Sequence, residues 1–329
     1  MKISPDETVS SLGIGLTNRC NLNCPHCYSR NVEKSDLSIG DVEKILKIFP
    51  NLKKVNFGTG ESILNRSFRE IIDLLRKNNI QMALTTNGLT IERLEDKYLS
   101  YFKDIDISID FPNAKLHDEW RGRPGLFDLA LRGIEKCRRM KINTSIVMCL
   151  MNSNYKTLPR FKTLLKRYNI FLRINLYKPV NTKRYLLNYE EFWEAMRLLS
   201  ENFELINNSE PILSIITGDK LTGSPCGTLS LRIHPNMVAS ACVYIDGQRV
   251  SVRNFQKQKK LIPKFCETCR FVQSCRGGCV GRRYLTLGVE KPDIYCPFFK
   301  GKQLPNIKFK KAKEKEFIHS SYLCTIIVK

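Results

Sequence analysis

The chain has 329 residues, 42% of them hydrophobic, which allows one large domain plus a smaller one. Its net charge is +22, but Lys and Arg are spread along the chain, so we expect no nucleic-acid partner, with RNA or an acidic substrate as alternatives. Residues 1–11 lack a signal-peptide layout, and no stretch reaches the roughly 18 apolar residues of a membrane span. The thirteen cysteines cluster in ligand-like spacings, which favours metal binding in a reducing, cytoplasmic location over disulfides.

From residue 12 to about 215 the sequence alternates short apolar runs with segments of helical period, and Ser38 is the candidate N-cap of the first helix. This alternation predicts an α/β fold with a parallel sheet and crossover helices. The predicted strands are residues 12–16, 55–57, 81–85, 105–109, 144–150 and 172–176. The predicted helices are residues 41–49, 68–77, 126–140, 158–168 and 189–200.

Three cysteines follow the first predicted strand in the spacing C-x3-C-x2-C: Cys20, Cys24 and Cys27. Three thiolates can hold a cubane of four irons, which leaves one iron open to a further ligand. A zinc site would need a fourth ligand such as His26, which directly precedes Cys27 and would have to bend back onto the same ion. The spacing and its surroundings resemble those of the radical S-adenosylmethionine (radical SAM) superfamily, whose open iron is chelated by the amino and carboxylate groups of SAM.

This resemblance implies a partial (β/α)6 TIM-like barrel, in which loops at the C-terminal ends of the strands carry the site. It also implies a [4Fe-4S] cluster that binds SAM and is reduced by a low-potential donor of the ferredoxin or flavodoxin type. The cluster then cleaves SAM to methionine and a 5′-deoxyadenosyl radical, which takes a hydrogen atom from the substrate. The barrel would hold SAM in line and exclude solvent.

Short motifs after the next three strands also resemble the SAM-binding motifs of the family. Gly58-Thr59-Gly60-Glu61 stands where the family usually has Gly-Gly-Glu-Pro, with Thr59 and Ser62 as departures. Glycine lets the backbone approach a ligand closely, and the Glu61 carboxylate is expected to receive the ammonium of SAM. Thr86-Asn87-Gly88 and Ser108-Ile109-Asp110 resemble the Thr-Asn-Gly and Ser-x-Asp motifs.

The segment leading into the next helix, which contains His117, Arg121 and Gly125, matches the family as well. The resemblance implies that Ser108 and Arg121 face the carboxylate or ribose side of SAM, although Asn87 and Ser108 could instead merely cap turns. Met148 and Met151 are expected to pack in the core rather than to contact SAM. The predicted SAM-binding residues are Gly58, Thr59, Gly60, Glu61, Asn87, Ser108, Asp110 and Arg121.

A second group of cysteines lies in the C-terminal part and contains the spacing C-x2-C-x5-C-x3-C. One zinc ion would use only four of them, so two zinc ions in a ribbon-like module are the alternative to iron. The pattern resembles the SPASM extension of radical SAM relatives, which holds two auxiliary iron–sulfur clusters, here expected to be [4Fe-4S]. The members are Cys226, Cys242, Cys266, Cys269, Cys275, Cys279 and Cys296.

The family's pattern assigns these cysteines to two clusters. Cys266, Cys269, Cys275 and Cys296 would close one cluster, while Cys226, Cys242 and Cys279 would hold the other. The second set lacks a fourth member, so either a non-Cys residue completes it or one iron is open to substrate. Met237 departs from the family, which usually has glycine there. The remaining cysteines, Cys137, Cys149 and Cys324, are expected to be small buried hydrophobic side chains.

These assignments predict a domain organisation of residues 1–215 as the barrel, 216–300 as the SPASM-type domain and 301–329 as a basic C-terminal tail. The apolar end of the tail, residues 322–328, is expected to dock onto the body as a strand or a helix.

The SPASM resemblance implies a peptide or protein substrate, since such relatives mostly form thioether or C–C crosslinks or oxidise Cys or Ser to formylglycine. Only residues 1–11 precede the first strand, so we expect a separate recognition protein or a folded protein substrate. Small-molecule chemistry on a haem precursor is the alternative, because a basic enzyme suits propionate-rich tetrapyrroles. A non-enzymatic electron carrier and an RNA-modifying enzyme are further alternatives.

The sequence names no catalytic acid or base. Tyr244 and Asp246 are weak candidates after Cys242, and Arg232 could be an ordinary surface residue of a strand.

Overall fold

The computed structural model describes residues 9–30, 32–218, 226–227, 231–245, 250–252, 261–313 and 324–329; Asp246 therefore lies outside the described residues. The strands in these ranges are β1 (Ser11–Ile14), β2 (Lys54–Phe57), β3 (Gln81–Thr86), β4 (Phe102–Ser108), β5 (Asn143–Leu150), β6 (Phe171–Leu176), β7 (Leu205–Asn208), β8 (Leu231–Ile233), β9 (Val238–Ser240), β10 (Val250–Ser251) and β11 (Thr325–Val328).

Helices with a clear capping residue begin close to their predicted positions. Ser38 caps the first helix as predicted, in a reciprocal capping box with Asp41. The fourth predicted helix begins later than expected, at Phe161, because Pro159 lies in a 3-10 turn before it. The helices are α1 (Ile39–Ile48), α2 (Phe68–Lys77), α3 (Leu89–Arg93), α4 (Asp96–Leu99), α5 (Ala114–Arg121), α6 (Leu126–Arg139), α7 (Phe161–Tyr168), α8 (Tyr189–Asn202), α9 (Ser214–Thr217), α10 (Val272–Cys275) and α11 (Val280–Thr286).

The first six strands pair in chain order and all in parallel, which confirms the predicted α/β partial barrel. Most residues of these strands are buried, as expected when helices cover a parallel sheet. The fourth strand begins at Phe102, three residues before the predicted start, and carries the buried Asp104. Arg173 of β6 lies 2.7 Å from that carboxylate, so a buried partner allows the charge inside the strand.

Strands from the C-terminal part extend the same sheet at both edges. β8 pairs in parallel with β1, and β9 and β10 follow it as antiparallel neighbours. β11 lies between β6 and β7 and is antiparallel to both. The end of the tail thus docks as a strand, one of the two predicted forms, while the three-part domain division stays a prediction.

A helix that crosses a bilayer must be both long and apolar. None of the helices in the described ranges is long and apolar enough to span a membrane.

Candidate active site

A large cavity opens at the C-terminal ends of the parallel strands. About 1410 Å³ of non-atom space, including open solvent at its mouth, lies within it. Thr59 and Asp110 are buried but do not line it. The predicted residues that do line it are Cys20, Cys24, Cys27, Gly58, Gly60, Glu61, Asn87, Ser108 and Arg121.

The three N-terminal cysteines lie on one loop at the edge of this cavity. The side-chain amide of Asn87 lies 3.7 Å from the Cys20 sulfur. The pKa of the buried Arg121 is raised, against the effect of burial, first by the Asp110 carboxylate and then by the Cys24 and Cys27 thiols. An all-sulfur donor set beside a cation suits an iron–sulfur cluster, which is anionic when bound by thiolates. In the part of the chain that the structure describes, no group of three or more His, Cys, Asp or Glu could hold a single metal ion.

His26 lines the cavity, but both nitrogens of its ring are engaged by other side chains. Its ring stacks on Trp120 at an interplanar angle of 13°, and the Trp120 indole N–H donates to its Nδ1 at 2.8 Å. Its Nε2 lies 3.6 Å from the Asp110 carboxylate. Burial lowers the pKa of His26 to about 4, against the opposing effect of Asp110, so the ring is neutral. The zinc alternative therefore loses its expected fourth ligand.

Gly60 brings the loop after β2 into contact with the cysteine loop. Its φ is +64°, and a Cβ there would lie 2.4 Å from the carbonyl oxygen of Arg19 and 2.6 Å from that of Thr17. The Glu61 N–H donates to the same Arg19 carbonyl at 2.8 Å. Only glycine fits this approach, as the sequence predicts.

The Glu61 carboxylate is fully buried and accepts several hydrogen bonds from the loop after β3. Oε1 accepts from the hydroxyls of Thr86 and Thr90 and from the Thr90 N–H at 2.9 Å. Among these hydrogen bonds to the Glu61 carboxylate, Oε2 accepts one, from the Asn87 N–H at 3.0 Å. A carboxylate oxygen has two lone pairs, so Oε2 retains capacity for one further donor from the cavity.

Thr59, which replaces one glycine of the family's motif, has a hydrogen-bonding partner on each side. Its hydroxyl lies 2.9 Å from the Tyr28 hydroxyl and accepts from the Arg232 guanidinium. Gly15 makes room for it, since a Cβ at Gly15 would lie 2.8 Å from the Thr59 hydroxyl oxygen. Arg232 is 5% exposed and lines the cavity, so the interpretation of it as a surface residue was wrong.

Asp110 holds Arg121 from behind the cavity wall. Its Oδ2 accepts from Nε of Arg121 at 2.9 Å and lies 2.8 Å from Nη2, while Oδ1 accepts from the Cys149 N–H at 2.9 Å. Burial raises the pKa of Asp110, but the opposing effects, of which the Arg121 charge is the largest, together outweigh burial and the pKa is lowered. Asp110 is thus placed to orient Arg121.

Comparison with known proteins agrees with this geometry. The model of the radical SAM superfamily matches residues 14–165. An uncharacterized protein of Methanocaldococcus jannaschii is 30% identical over 59% of this chain and 72% of its own length. The chain belongs to the radical SAM superfamily.

Two further similarities extend beyond the residues that the superfamily model matches. The mycofactocin maturase MftC of Mycolicibacterium smegmatis is 26% identical over 85% of this chain and 81% of its own length. The solved structure of anSMEcpe with bound AdoMet and the Kp18Cys peptide has a TM-score of 0.70 at 17% identity, over 88% of this chain and 94% of that one. Each of these matches covers a larger part of the chain than residues 1–215 make up. Both matches therefore include part of the Cys-rich C-terminal region. This radical SAM enzyme therefore has a SPASM-type extension.

Several residues of the radical SAM cavity had no signal in the sequence. Lys178 is 5% exposed, and its ammonium lies 5.7 Å from the ring centroid of Tyr244. Cys149 also lines the cavity, so it is not simply a packing residue as predicted; Met148 packs in the core as predicted but lines the cavity too. The other unpredicted polar residues of the lining include Asp106, Arg173 and Asn175.

In the extension, the structure gathers one predicted set of four cysteines around a small apolar space. This space is lined by Ile212, Phe271 and Phe298 as well as the thiols. Among them Cys266, Cys275 and Cys296 are buried. The four cysteines are Cys266, Cys269, Cys275 and Cys296.

A buried ion-pair network supports the extension next to these thiols. Arg282 is fully buried, with Nη2 2.6 Å from both the Glu210 and the Asp293 carboxylates. Asp293 also accepts from the Cys279 N–H at 2.9 Å. Met237 adopts a φ of +59°, so the turn that glycine forms in the family is kept here with a methionine.

The second predicted set lies deeper, beside the cavity. Cys279 is 3% exposed, and its thiol is within hydrogen-bonding reach of Cys324. Cys324 in turn reaches Cys226. The prediction of Cys324 as a plain hydrophobic side chain was therefore wrong: it is buried, but its neighbours are thiols. Cys137, in contrast, packs in the core as predicted.

Proposed function

We propose that this radical SAM enzyme is a maturase that takes a hydrogen atom from a side chain of a peptide or protein, leading to an oxidation or a crosslink. One observation carries the proposal. A single cavity is lined both by Cys20, Cys24 and Cys27 and by Lys178 and Tyr244, which lie close to cysteines of the second set. A substrate in this cavity would lie near the SAM site and near an auxiliary cluster.

The residues around the cysteine loop would bind and orient SAM. When bound, the [4Fe-4S] cluster supplies one electron to the sulfonium of SAM, which yields the adenosyl radical. Arg121, fixed by Asp110, offers its guanidinium to the SAM carboxylate, and the free capacity of Glu61 Oε2 suits the SAM ammonium. Ser108 lines the same wall and is placed for the ribose.

Two auxiliary [4Fe-4S] clusters would be held by the extension. Cys266, Cys269, Cys275 and Cys296 supply four thiolates in an apolar setting, which suits electron transfer. The second set lies beside Lys178, at the cavity wall. At this position the thiolates would hold a cluster that would supply electron-transfer chemistry beside a bound substrate, and the expected reductant of the enzyme is a low-potential donor of the ferredoxin or flavodoxin type.

The relatives support a peptide substrate by what their names state. MftC is a maturase, and anSMEcpe was solved with a peptide and AdoMet together. Both likenesses reach into the extension.

The proposal is tested by anaerobic reconstitution, reduction with dithionite in the presence of SAM, and measurement of iron and of 5′-deoxyadenosine by mass spectrometry. We expect about twelve irons per chain and formation of 5′-deoxyadenosine. Zinc in place of iron together with no SAM cleavage would overturn the proposal.

The substrate class is tested separately. Candidate short peptides and the chain's co-purifying peptides are incubated with the reduced enzyme, and the peptide mass is followed. A loss of two hydrogens in a peptide, tied to 5′-deoxyadenosine formation, supports the maturase. A Soret band on titration with an iron tetrapyrrole, with turnover of that compound instead, would favour the haem-precursor alternative.

A further inference from the structure

Cys324 lies at the start of β11, 3% exposed, with other cysteines as its neighbours. Its thiol is within hydrogen-bonding reach of both the Cys226 and the Cys279 thiols. Three sulfurs from residues far apart in sequence therefore meet at one buried point. Sequence spacing gives no hint of this, since Cys324 is separated from the cysteine-rich region by a basic segment.

The backbone beside Cys324 is held firmly in the sheet. The Thr325 N–H donates to the Ser209 hydroxyl at 2.9 Å, and the Ser209 N–H donates back to the Thr325 carbonyl at 2.8 Å. The Thr325 hydroxyl donates to the side-chain oxygen of Asn175 in β6 at 2.8 Å. The pairing of β11 between β6 and β7 thus fixes the backbone directly after Cys324.

A fourth sulfur, that of Cys242, lies against helix α11. A Cβ at Gly281, in the first turn of α11, would lie 2.9 Å from the Cys242 sulfur. Gly281 follows Cys279 by two residues, so glycine here makes room for Cys242 next to the other thiols. Both Cys242 and Cys279 are buried.

A cation also faces this group. Lys178 is 5% exposed, and it lies close enough to the Cys279 and Cys324 thiols for their charges to interact. The ammonium is therefore a buried positive charge beside the sulfurs, which suits an anionic cluster bound by four thiolates.

We propose that Cys324 is the fourth thiolate ligand of the auxiliary cluster held by Cys226, Cys242 and Cys279. The inference rests on the proposed function, because it requires a cluster in the extension. With Cys324 bound, every iron of this cluster has a protein sulfur. The cluster is then closed, it does not bind substrate, and its part in the reaction is electron transfer.

The test uses the full chain with Cys20, Cys24 and Cys27 replaced by alanine, so that only auxiliary iron is counted. After anaerobic reconstitution we expect about eight irons per chain in this parent. Cys324→Ala added to it should lose between one iron and a whole cluster, giving about seven to four irons, with a changed EPR spectrum of the reduced protein. Cys137→Ala, at another fully buried cysteine, is the matched control and should leave both readouts unchanged.

Two further measurements distinguish the loss of a cluster ligand from misfolding of the variant. Added methanethiol should restore the parent EPR spectrum in Cys324→Ala, because a free thiol can occupy the iron that Cys324 leaves. The second measurement uses the parent, in which Cys324 is intact. Cyanide added to the reduced parent should leave its EPR spectrum unshifted, because a closed cluster has no open iron for cyanide to bind.

The inference is overturned if Cys324→Ala retains the parent's irons and spectrum, if cyanide shifts the parent spectrum, or if mass spectrometry finds Cys324 in a disulfide of the reconstituted protein. A parent without auxiliary iron overturns it together with the proposed auxiliary clusters. In contrast, an intact enzyme with full auxiliary iron that does not cleave SAM overturns only the proposed radical function.

Discussion

Arg121 and Asp110 form an ion pair behind the SAM side of the cavity, with 2.8 Å between Nη2 and Oδ2, and the carboxylate is fully buried. Arg121 reaches the cavity and Asp110 does not. Arg121 would therefore contact SAM, and Asp110 would position Arg121.

Asp110→Asn removes the charge that holds Arg121 and leaves a buried guanidinium without its anion. Breaking a buried ion pair costs about 3 kcal/mol of stability, and we expect SAM to bind about tenfold more weakly. The measurement is the Kd of SAM by equilibrium dialysis on the reconstituted protein, with iron content determined alongside. Glu119→Gln, an exposed carboxylate of α5, is the control and should change neither value. Unchanged SAM binding in Asp110→Asn would remove the positioning role.

Gly60→Ala tests the contact between the loop after β2 and the cysteine loop. The new Cβ would lie 2.4 Å from the Arg19 carbonyl oxygen, so the cysteine loop has to move. We expect loss of the iron bound by that loop, about four per chain, and loss of SAM cleavage. Gly301→Ala is the matched control, since Gly301 has a φ of +63° and a Cβ added there would have no atom within 4 Å. If both variants keep their iron, the close approach does not matter for the site.

His117 makes stability depend on pH. Burial lowers its pKa to about 4, and its Nδ1 accepts from the Asp110 N–H at 3.1 Å, so the native ring is neutral. The unfolded chain takes up this proton near pH 6.5, so stability is complete above that value and falls as the pH decreases towards 4. We expect a loss of about 1.4 kcal/mol between pH 8 and pH 5.5.

The measurement is anaerobic thermal unfolding of the wild type and of His117→Gln at both pH values. Glutamine removes the titration and keeps a hydrogen-bonding side chain. The difference between the two pH values should therefore shrink in the variant, and an equal difference in both proteins would contradict the assignment.

Lys178→Met tests the buried charge beside the second cysteine set. The reduced form of a cluster carries one more negative charge, so loss of the ammonium should lower the midpoint potential of the nearby auxiliary cluster. Potentiometric EPR titration measures this shift, and iron content should stay unchanged. Lys156→Met, on the turn before α7, is the control. A midpoint potential that rises or does not change would place the charge away from the cluster.

Much of the fold and the first cluster site was predictable because their signals are local. Six apolar runs with helical segments between them predict the parallel strands. The spacing of apolar residues within each segment indicates which of its side chains are buried. The cysteine loop, Gly60 and Asn87 occur within short motifs whose members act on neighbouring atoms. The fourth strand was predicted too short, because Asp104 breaks its apolar pattern and its partner Arg173 is distant in sequence.

The sequence by itself determined the family, the parallel sheet and the thiol-rich loop, because spacing along the chain decides which side chains share a turn. Only the tertiary structure placed Lys178, Cys149 and Arg232 in the cavity wall and Cys324 beside Cys226 and Cys279. These residues carry no local pattern, and they meet because strand pairing brings β1 next to β8, and β6 next to β11. A single buried charge or thiol acquires its role from partners that sequence distance does not reveal.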